Sequence, residues 1–411
     1  MTEHAQAAAT APLFNPLSPG FIRDPYPHYD LLRRVDPLHI TPHGMYLASR
    51  HADVSSVLRD KRFGKDFVDR SIRRYGPKIM EEPIFRSMSH WMLQQDPPDH
   101  SRLRGLVVKA FTARRVEDMR PRIQQIVDQT LDRVIPNGSM DLIEDFAFRL
   151  PVTIICDMLG IPEEHREVFY SGSRDGGRIL DPVPLSPEEI AKGNATYMMT
   201  QMYFQQLFEL RRKQPGDDLT TQLVQAEEED GSKLTNEELT ANIILLFGAG
   251  HETTVNLIGN GCLALHRNPD QLALLKGRPE LITGAIEEFL RYDSSVQMTG
   301  RVALEDIDDL CGRKVPKGES VLCLLGSANR DPAVYPDGAD RLDITRPNVR
   351  PLSFGGGIHF CLGAQLARIE AEIAISTLLR RLPDLRLDDA DNPEWRPTFV
   401  LRGLKRLPAS W

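Results

Sequence analysis

A mainly α-helical fold with a small β region is what the sequence predicts, on three observations. An apolar, helix-periodic stretch of about 32 residues runs between Thr235 and Asn268. Helical patterns also dominate 116–133, 151–159 and 188–213, separated by the breakers Pro136-Asn-Gly138 and Pro215-Gly216. Strand-like runs are short and confined to 37–48 and 294–325.

Composition narrows the class of protein. With 411 residues, 41% hydrophobic and 26% charged, the chain can bury a large core and is neither disordered nor collagen-like. A net charge of −8 excludes a basic nucleic-acid footprint. No apolar run approaches the roughly 20 residues that a bilayer span needs. The polar first 30 residues also lack a basic start followed by an apolar stretch, so neither a membrane anchor nor secretion is expected. Cys156, Cys262, Cys311, Cys323 and Cys361 are odd in number and widely spaced, with no C-x-x-C pair. That predicts a reducing, cytoplasmic setting rather than disulfides or zinc. Residues 1–411 read as a single domain, about 1–14 being a flexible tail.

Residues 37–48 hold two apolar runs around Thr41-Pro-His-Gly44, a small hairpin, and a helix follows near 52–60. From 73 to 95 the chain is irregular but carries Ile79, Met80, Ile84, Phe85, Met88, Trp91, Met92 and Leu93. These are either loop residues tucked onto a core or a flexible wall of an apolar pocket. Asp96-Pro-Pro-Asp-His-Ser-Arg-Leu-Arg104 opens a helix reaching about Phe111. His100 and Arg104, four apart, share one face: a solvated basic face with Lys109, Arg114 and Arg115, or a joint grip on one anion. Residues 171–187, with Gly176-Gly177 and three prolines, are a mobile connection over a site or a plain surface loop.

Thr235-Asn-Glu-Glu238 is a capping box. A helix from there to Asn268-Pro269 spans roughly 48 Å at 1.5 Å per residue, and being apolar it must cross the centre of the molecule. Its middle, Gly248-Ala-Gly-His-Glu-Thr-Thr254, has two glycines and two β-branched hydroxyl residues where a helix prefers Ala or Leu. Such a weakness opens a groove or kink, or serves close helix packing. Gly248-x-Gly250 with Asp270 beyond it invites a dinucleotide reading, which fails because Thr253 stands at the third glycine position and the preceding run is helical. In the helical pattern 281–292, Glu288 and Arg291 are three apart, ordinarily a surface pair worth ~0.2–0.5 kcal/mol. Short strands then continue through Cys311-Gly312 and Pro316-Lys-Gly318 to Leu325.

Phe354-Gly-Gly-Gly-Ile-His-Phe-Cys-Leu-Gly363 places one cysteine in a glycine-rich loop before an amphipathic helix over roughly 364–380. Gly355, Gly357 and Gly363 permit backbone angles closed to other residues and a close approach to a flat ligand. The positive end of the helix dipole favours an anionic Cys361, the species that holds a metal.

The pattern Phe-x-x-Gly-x-His-x-Cys-x-Gly from Phe354 to Gly363 resembles the haem-binding loop of the cytochrome P-450 family, and the resemblance extends from about residue 15 to the C-terminus. It implies haem b between the central helix and the helix after Cys361, with Cys361 as the proximal iron ligand. Ala249-Gly-His-Glu-Thr-Thr254 is similar to the family's oxygen-binding signature. There Gly250 would leave room for dioxygen, Thr253 would order a water beside it, and Glu252 would link the site to solvent protons; His251 is given no role. Asp96–Arg104 is similar to the motif whose histidine and arginine, here His100 and Arg104, bind one haem propionate. Arg301 would reach the second, and His359 is a further propionate contact. Phe354 would shield the sulfur, with Gly355 and Leu93 also against the cofactor. Glu288, Arg291 and Arg346 would form a buried structural lock. Ser295 stands where many relatives have proline, so that turn is expected to be less rigid. The pocket walls implied are Ile84, Phe85, Leu245, Leu246, Val296, Met298, Phe399 and Val400.

The reaction implied is insertion of one atom of O2 into an apolar organic substrate, the other leaving as water. Electrons would come ultimately from NAD(P)H through separate carriers, a ferredoxin and its reductase, steered by Arg102, Lys109 and Arg368. A monomer is expected. Two other classes are a haem-thiolate protein that only senses or carries a ligand, and a cysteine hydrolase using Cys361 with a histidine such as His359.

Overall fold

A computed structural model of the protein describes residues 13–42, 44–167, 169, 176–226 and 233–411. Its axis is the helix Asn236–Arg267, 32 residues long, opened by the expected capping box: the Thr235 hydroxyl accepts from Glu238 N–H at 3.1 Å and the Glu238 carboxylate from Thr235 N–H at 2.9 Å. Around it pack the helices Arg149–Leu159, Ile282–Tyr292 and Ala364–Arg381. The contacts are close because glycines remove side chains where helices cross. A Cβ on Gly261 would meet the Phe289 ring at 2.9 Å, and one on Gly250 would meet Ile155 at 3.2 Å.

The other long patterns form helices near their expected bounds. The 116–133 pattern divides into Ala113–Asp118 and Arg120–Val134, with Pro121 in the first turn of the second. Arg149–Leu159 ends on Gly160, left-handed at φ 68°, and Pro187–Lys213 opens on a capping box of Ser186 and Glu189. The 73–95 stretch is not irregular. It holds the ends of a helix Phe67–Tyr75, a 3₁₀ turn Pro77–Glu81, a helix Pro83–Ser89 and a 3₁₀ turn Met92–Gln94. Pieces this short never repeat the 3.6-residue period, so periodicity cannot reveal them. Of the 171–187 connection, 171–175 lie outside the described residues; Gly176–Leu180 is a 3₁₀ turn.

The expected hairpin pairs Leu38–Ile40 with Tyr46–Ala48 in antiparallel register, Leu38 opposite Ala48; His43 in its turn lies outside the described residues. Tyr46–Ala48 then runs parallel to Ser320–Leu324, which pairs antiparallel with Met298–Ala303, and Phe63–Gly64 closes the five-stranded sheet. A second sheet of Ser139–Asp141, Pro408–Ser410 and Arg386–Leu387 joins segments far apart in sequence, each too short to alternate visibly.

Glu288 and Arg291 are fully buried, with both Arg291 Nε and Nη2 on the carboxylate at 2.7 Å. Arg346 approaches the same carboxylate at 3.5 Å. Arg291 also donates to the carbonyls of Asn329, Ala339 and Arg341, tying its helix to the irregular chain that precedes the cysteine loop. Among the described residues no helix is long and apolar enough to cross a membrane.

Candidate active site

The buried central helix becomes accessible at Gly248 and Ala249, and both line one cavity of about 1540 Å³. Cys361, Leu362 and Gly363 line the same cavity from the cysteine loop. Ligand pockets commonly occupy ~300–1,000 Å³, so this space holds a large flat group and a second molecule together.

In the loop, Cys361 N–H donates to Phe354 O at 3.0 Å, closing a turn. Gly355 and Gly357 have φ of 70° and 64°, and a Cβ on Gly357 would stand 2.3 Å from Leu58 O. These two positions require glycine. Gly363 does not require it for backbone reasons, since its φ of −83° suits any residue; a Cβ there would enter open space beside Cys361. Cys361 is exposed, into the cavity. Burial pushes its thiol up, against the Gly363 N–H and the Arg104 and Arg368 charges that pull it down. A metal coordinated there would ionise the thiol outright. A single cysteine on a glycine-rich loop, facing a cavity of this size, fits a metal whose remaining ligands come with it, as in a porphyrin.

Cations gather at one edge of the cavity. His100 and Arg301 are buried and line it, with Lys65, Arg104 and His359 beside them. The His100 and His359 rings lie 4.3 Å apart. Neither ring nitrogen of His100 nor Nε2 of His359 has a hydrogen-bond partner. Burial first, then the neighbouring positive charges, lower both rings, His359 to about 2. Lys65, equally buried, is pushed well below the usual lysine range by burial and by Arg301 and Arg70. A crowd of buried cations and orphaned ring nitrogens fits an anionic group, which the two propionates of haem would be. Arg104 differs from expectation in part: its Nη2 donates to Phe360 O at 2.6 Å, so it also fixes the cysteine loop. Lys65 was not legible as a site residue. It is placed by Asp96, whose carboxylate accepts from Lys65 N–H at 2.8 and 3.0 Å and from Asp66 N–H at 3.2 Å, in room left by Gly64.

Across the cavity, Thr253 Oγ1 donates to Ala249 O at 3.0 Å, one turn back on the helix. Glu252 and Thr253 both line the cavity, and Glu252 faces Gly177, where a Cβ would come within 2.8 Å of its carboxylate. Gly250 lines the cavity with its backbone, and a Cβ on it would meet Ile155 at 3.2 Å, so its missing side chain also lets the two helices pack closely. His251 is buried, with Nδ1 2.7 Å from Phe247 O. Glu370 was not singled out either. It is fully buried beside the Thr254 hydroxyl, and burial raises its carboxyl to about 8. Its place on the buried stripe with Leu366, Ile373 and Thr377 was the available signal.

Phe354, Gly355 and Leu93 line the cavity, the Arg368 guanidinium lying 4.5 Å over the Phe354 ring. So do Ile84, Phe85, Leu245, Leu246, Val296, Met298 and Val400. Phe399 does not. It is buried in the cluster that holds Phe14, Phe21 and Tyr29, and its backbone N–H donates to the Asp181 carboxylate at 3.3 Å. Nor is the turn at Ser295 loosened: it is buried and its carbonyl accepts from Arg402 N–H at 2.8 Å. Of the expected carrier-facing cations, Arg102 pairs with Glu238 and Arg368 with Glu287, leaving Lys109 exposed.

The sequence model of the family described as cytochrome P450 matches residues 178–276 and 279–402. The chain is 43% identical over 393 residues to a putative cytochrome P450 133B2 from Xylella fastidiosa (strain 9a5c), covering 95% of this chain and 97% of that one. It is 42% identical over 403 residues to the cytochrome P450 monooxygenase PikC of Streptomyces venezuelae, covering 96% and 93%. Among solved structures, P450BioI in complex with hexadec-9Z-enoic acid ligated acyl carrier protein has a TM-score of 0.88 at 40% identity, over 95% of this chain and 99% of that chain. The chain belongs to the cytochrome P450 family, oxidoreductases that use haem and dioxygen to insert one oxygen atom.

Proposed function

We propose that this chain hydroxylates, or oxidises by a related insertion, an apolar organic substrate bound between Cys361 and the central helix. The observation that carries this is one cavity bounded by a cavity-facing cysteine, an alcohol–carboxylate pair at Thr253 and Glu252, and a buried cation cluster at its edge. Haem, when bound, supplies dioxygen activation and oxygen transfer. Cys361 would hold its iron through the thiolate. His100, His359, Arg301, Arg104 and Lys65 would hold its propionates. Thr253, anchored on Ala249 O, would present its hydroxyl to a water in the cavity, and Glu252 would relay protons to that water from the side of Gly177. The apolar walls, among them Phe85, Leu245, Val296 and Met298, would orient the substrate and exclude bulk water. Electrons would arrive from NAD(P)H through a ferredoxin and its reductase, with the protein acting as a monomer. Lys109 is the exposed cation left to greet such a carrier, so Lys109→Glu should slow reduction at low salt.

The test is the reduced carbon monoxide difference spectrum. The purified protein should give the red-shifted Soret band of a thiolate-ligated haem, and Cys361→Ser should lose it; a variant that kept the band would sink the assignment. Thr253→Ala should keep the band and substrate binding while product per electron pair falls at least tenfold. Unchanged coupling would remove Thr253 from the proton path.

A further inference from the structure

The cation cluster beside the cysteine loop does not include all the positive charge that faces the cavity. The helix Phe67–Tyr75 presents Arg70 and Arg74 to it, one turn apart on the same face. Among the described residues no carboxylate lies within ion-pair distance of either. Arg70 donates to the neutral Gln94 Oε1 at 3.3 Å, and Arg74 reaches only the Met45 sulfur at 4.0 Å. Two nearby acids are already engaged, Asp66 by Arg73 at 3.1 Å and Asp96 by the backbone N–H groups of Lys65 and Asp66, though both still attract Arg70 through space. Like charges at this spacing oppose each other. Burial and then the Arg74 charge push Arg70 down to about 10, so the pair is held in an arrangement that an anion would relieve.

Arg70 is half-buried and Arg74 exposed, and the wall next to them is apolar. The Phe67 and Phe85 rings stack at 6.3 Å and Tyr75 meets Phe85 edge-on at 5.3 Å, and all three line the same cavity. Two guanidiniums without a carboxylate partner among the described residues, at one end of an aromatic and aliphatic cavity, match a ligand with one anionic head and an apolar body. A planar carboxylate is the group that a guanidinium fork pairs with best.

We infer that the substrate is an apolar carboxylic acid, its carboxylate bound by Arg70 and Arg74 and its hydrocarbon body laid along the Phe67–Phe85 wall toward Thr253. This rests on the monooxygenase reading above. The competing place for Arg70 is the propionate set, since its Nη1 lies near Gly300, whose carbonyl Lys65 and Arg301 also use.

The test titrates the haem-loaded protein spectrally with straight-chain carboxylates of eight to sixteen carbons and with the matched primary alcohols. Arg70→Met and Arg74→Met are titrated singly and together. Wild type should bind the acids more tightly than the alcohols. Arg70→Met should weaken acid binding by about 10- to 100-fold, with alcohol binding and haem content unchanged. Equal affinity for acids and alcohols in wild type, or acid binding indifferent to both substitutions, overturns the inference. So does loss of haem content or an equal loss for acids and alcohols in Arg70→Met, which would assign Arg70 to the propionates. A wild type without the thiolate carbon monoxide band overturns the monooxygenase reading itself, and this inference with it.

Discussion

At the scale of single residues, the cavity is bounded by groups whose ionisation is set by what surrounds them. Glu370 is the clearest case. Its carboxyl is raised from the ordinary 4.5 to about 8, burial being the cause and the Thr254 hydroxyl acting against it. The folded state therefore keeps a proton that the unfolded chain releases between those two values. The contribution is fully present below about pH 4.5 and is lost as pH rises through 8. The wild type should lose a few kcal/mol of stability across that window from this group. Glu370→Gln should flatten that part of the profile, read as urea midpoints at pH 5.5 and 8.0; parallel profiles for the two proteins would show that Glu370 is ionised in the fold. Cys361, His100, Arg104 and Arg301 could be nominated from sequence through the family resemblance, and the structure places all four on the cavity. Lys65 and Glu370 could not, because their burial comes from distant segments.

At the scale of elements, the central helix pays for its glycines in propensity and recovers the loss in close packing. Gly261 shows the balance. Replacing it with alanine gains ~1 kcal/mol of helix propensity. The added methyl, however, would stand 2.9 Å from the Phe289 ring and 3.4 Å from Ile375, and neither the ring nor a packed core moves cheaply. Overpacking of this kind costs ~1–3 kcal/mol, so Gly261→Ala should lower the stability read from urea unfolding by up to ~2 kcal/mol net. A variant more stable than wild type by the full propensity gain would mean that the two helices separate without penalty. Gly250 adds a second case, since a Cβ there would meet Ile155 at 3.2 Å. The packing role of a glycine inside a signature motif is invisible until the neighbouring helix is seen.

At the scale of the whole molecule, Glu288, Arg291 and Arg346 join the helix Ile282–Tyr292 to the chain that leads into the cysteine loop. Both Glu288 and Arg291 are fully buried, and Arg291 also satisfies three carbonyls from 329 to 341. Arg291→Leu would leave a buried carboxylate without its partner. The expected cost is roughly 3–5 kcal/mol, with haem-loaded yield falling alongside the urea midpoint. A loss under about 1 kcal/mol would mean that water or Arg346 replaces the pair. Because the lock lies away from the cavity, any haem that such a variant retains should still give the thiolate band.

The sequence by itself determined the fold class, the central helix with its caps, the cysteine loop and the order of the motifs. These depend on local rules: period, capping, glycine at positive φ, and residue types at fixed spacing. Only the tertiary structure decided that Phe399 turns into the N-terminal core, that Arg102 and Arg368 are already paired, and that the 73–95 wall is helical. It alone brought Arg70 and Arg74 to the cavity, where no described carboxylate pairs with them. Whether a charged side chain is free or engaged depends on segments tens to hundreds of residues away, and no local pattern carries that information.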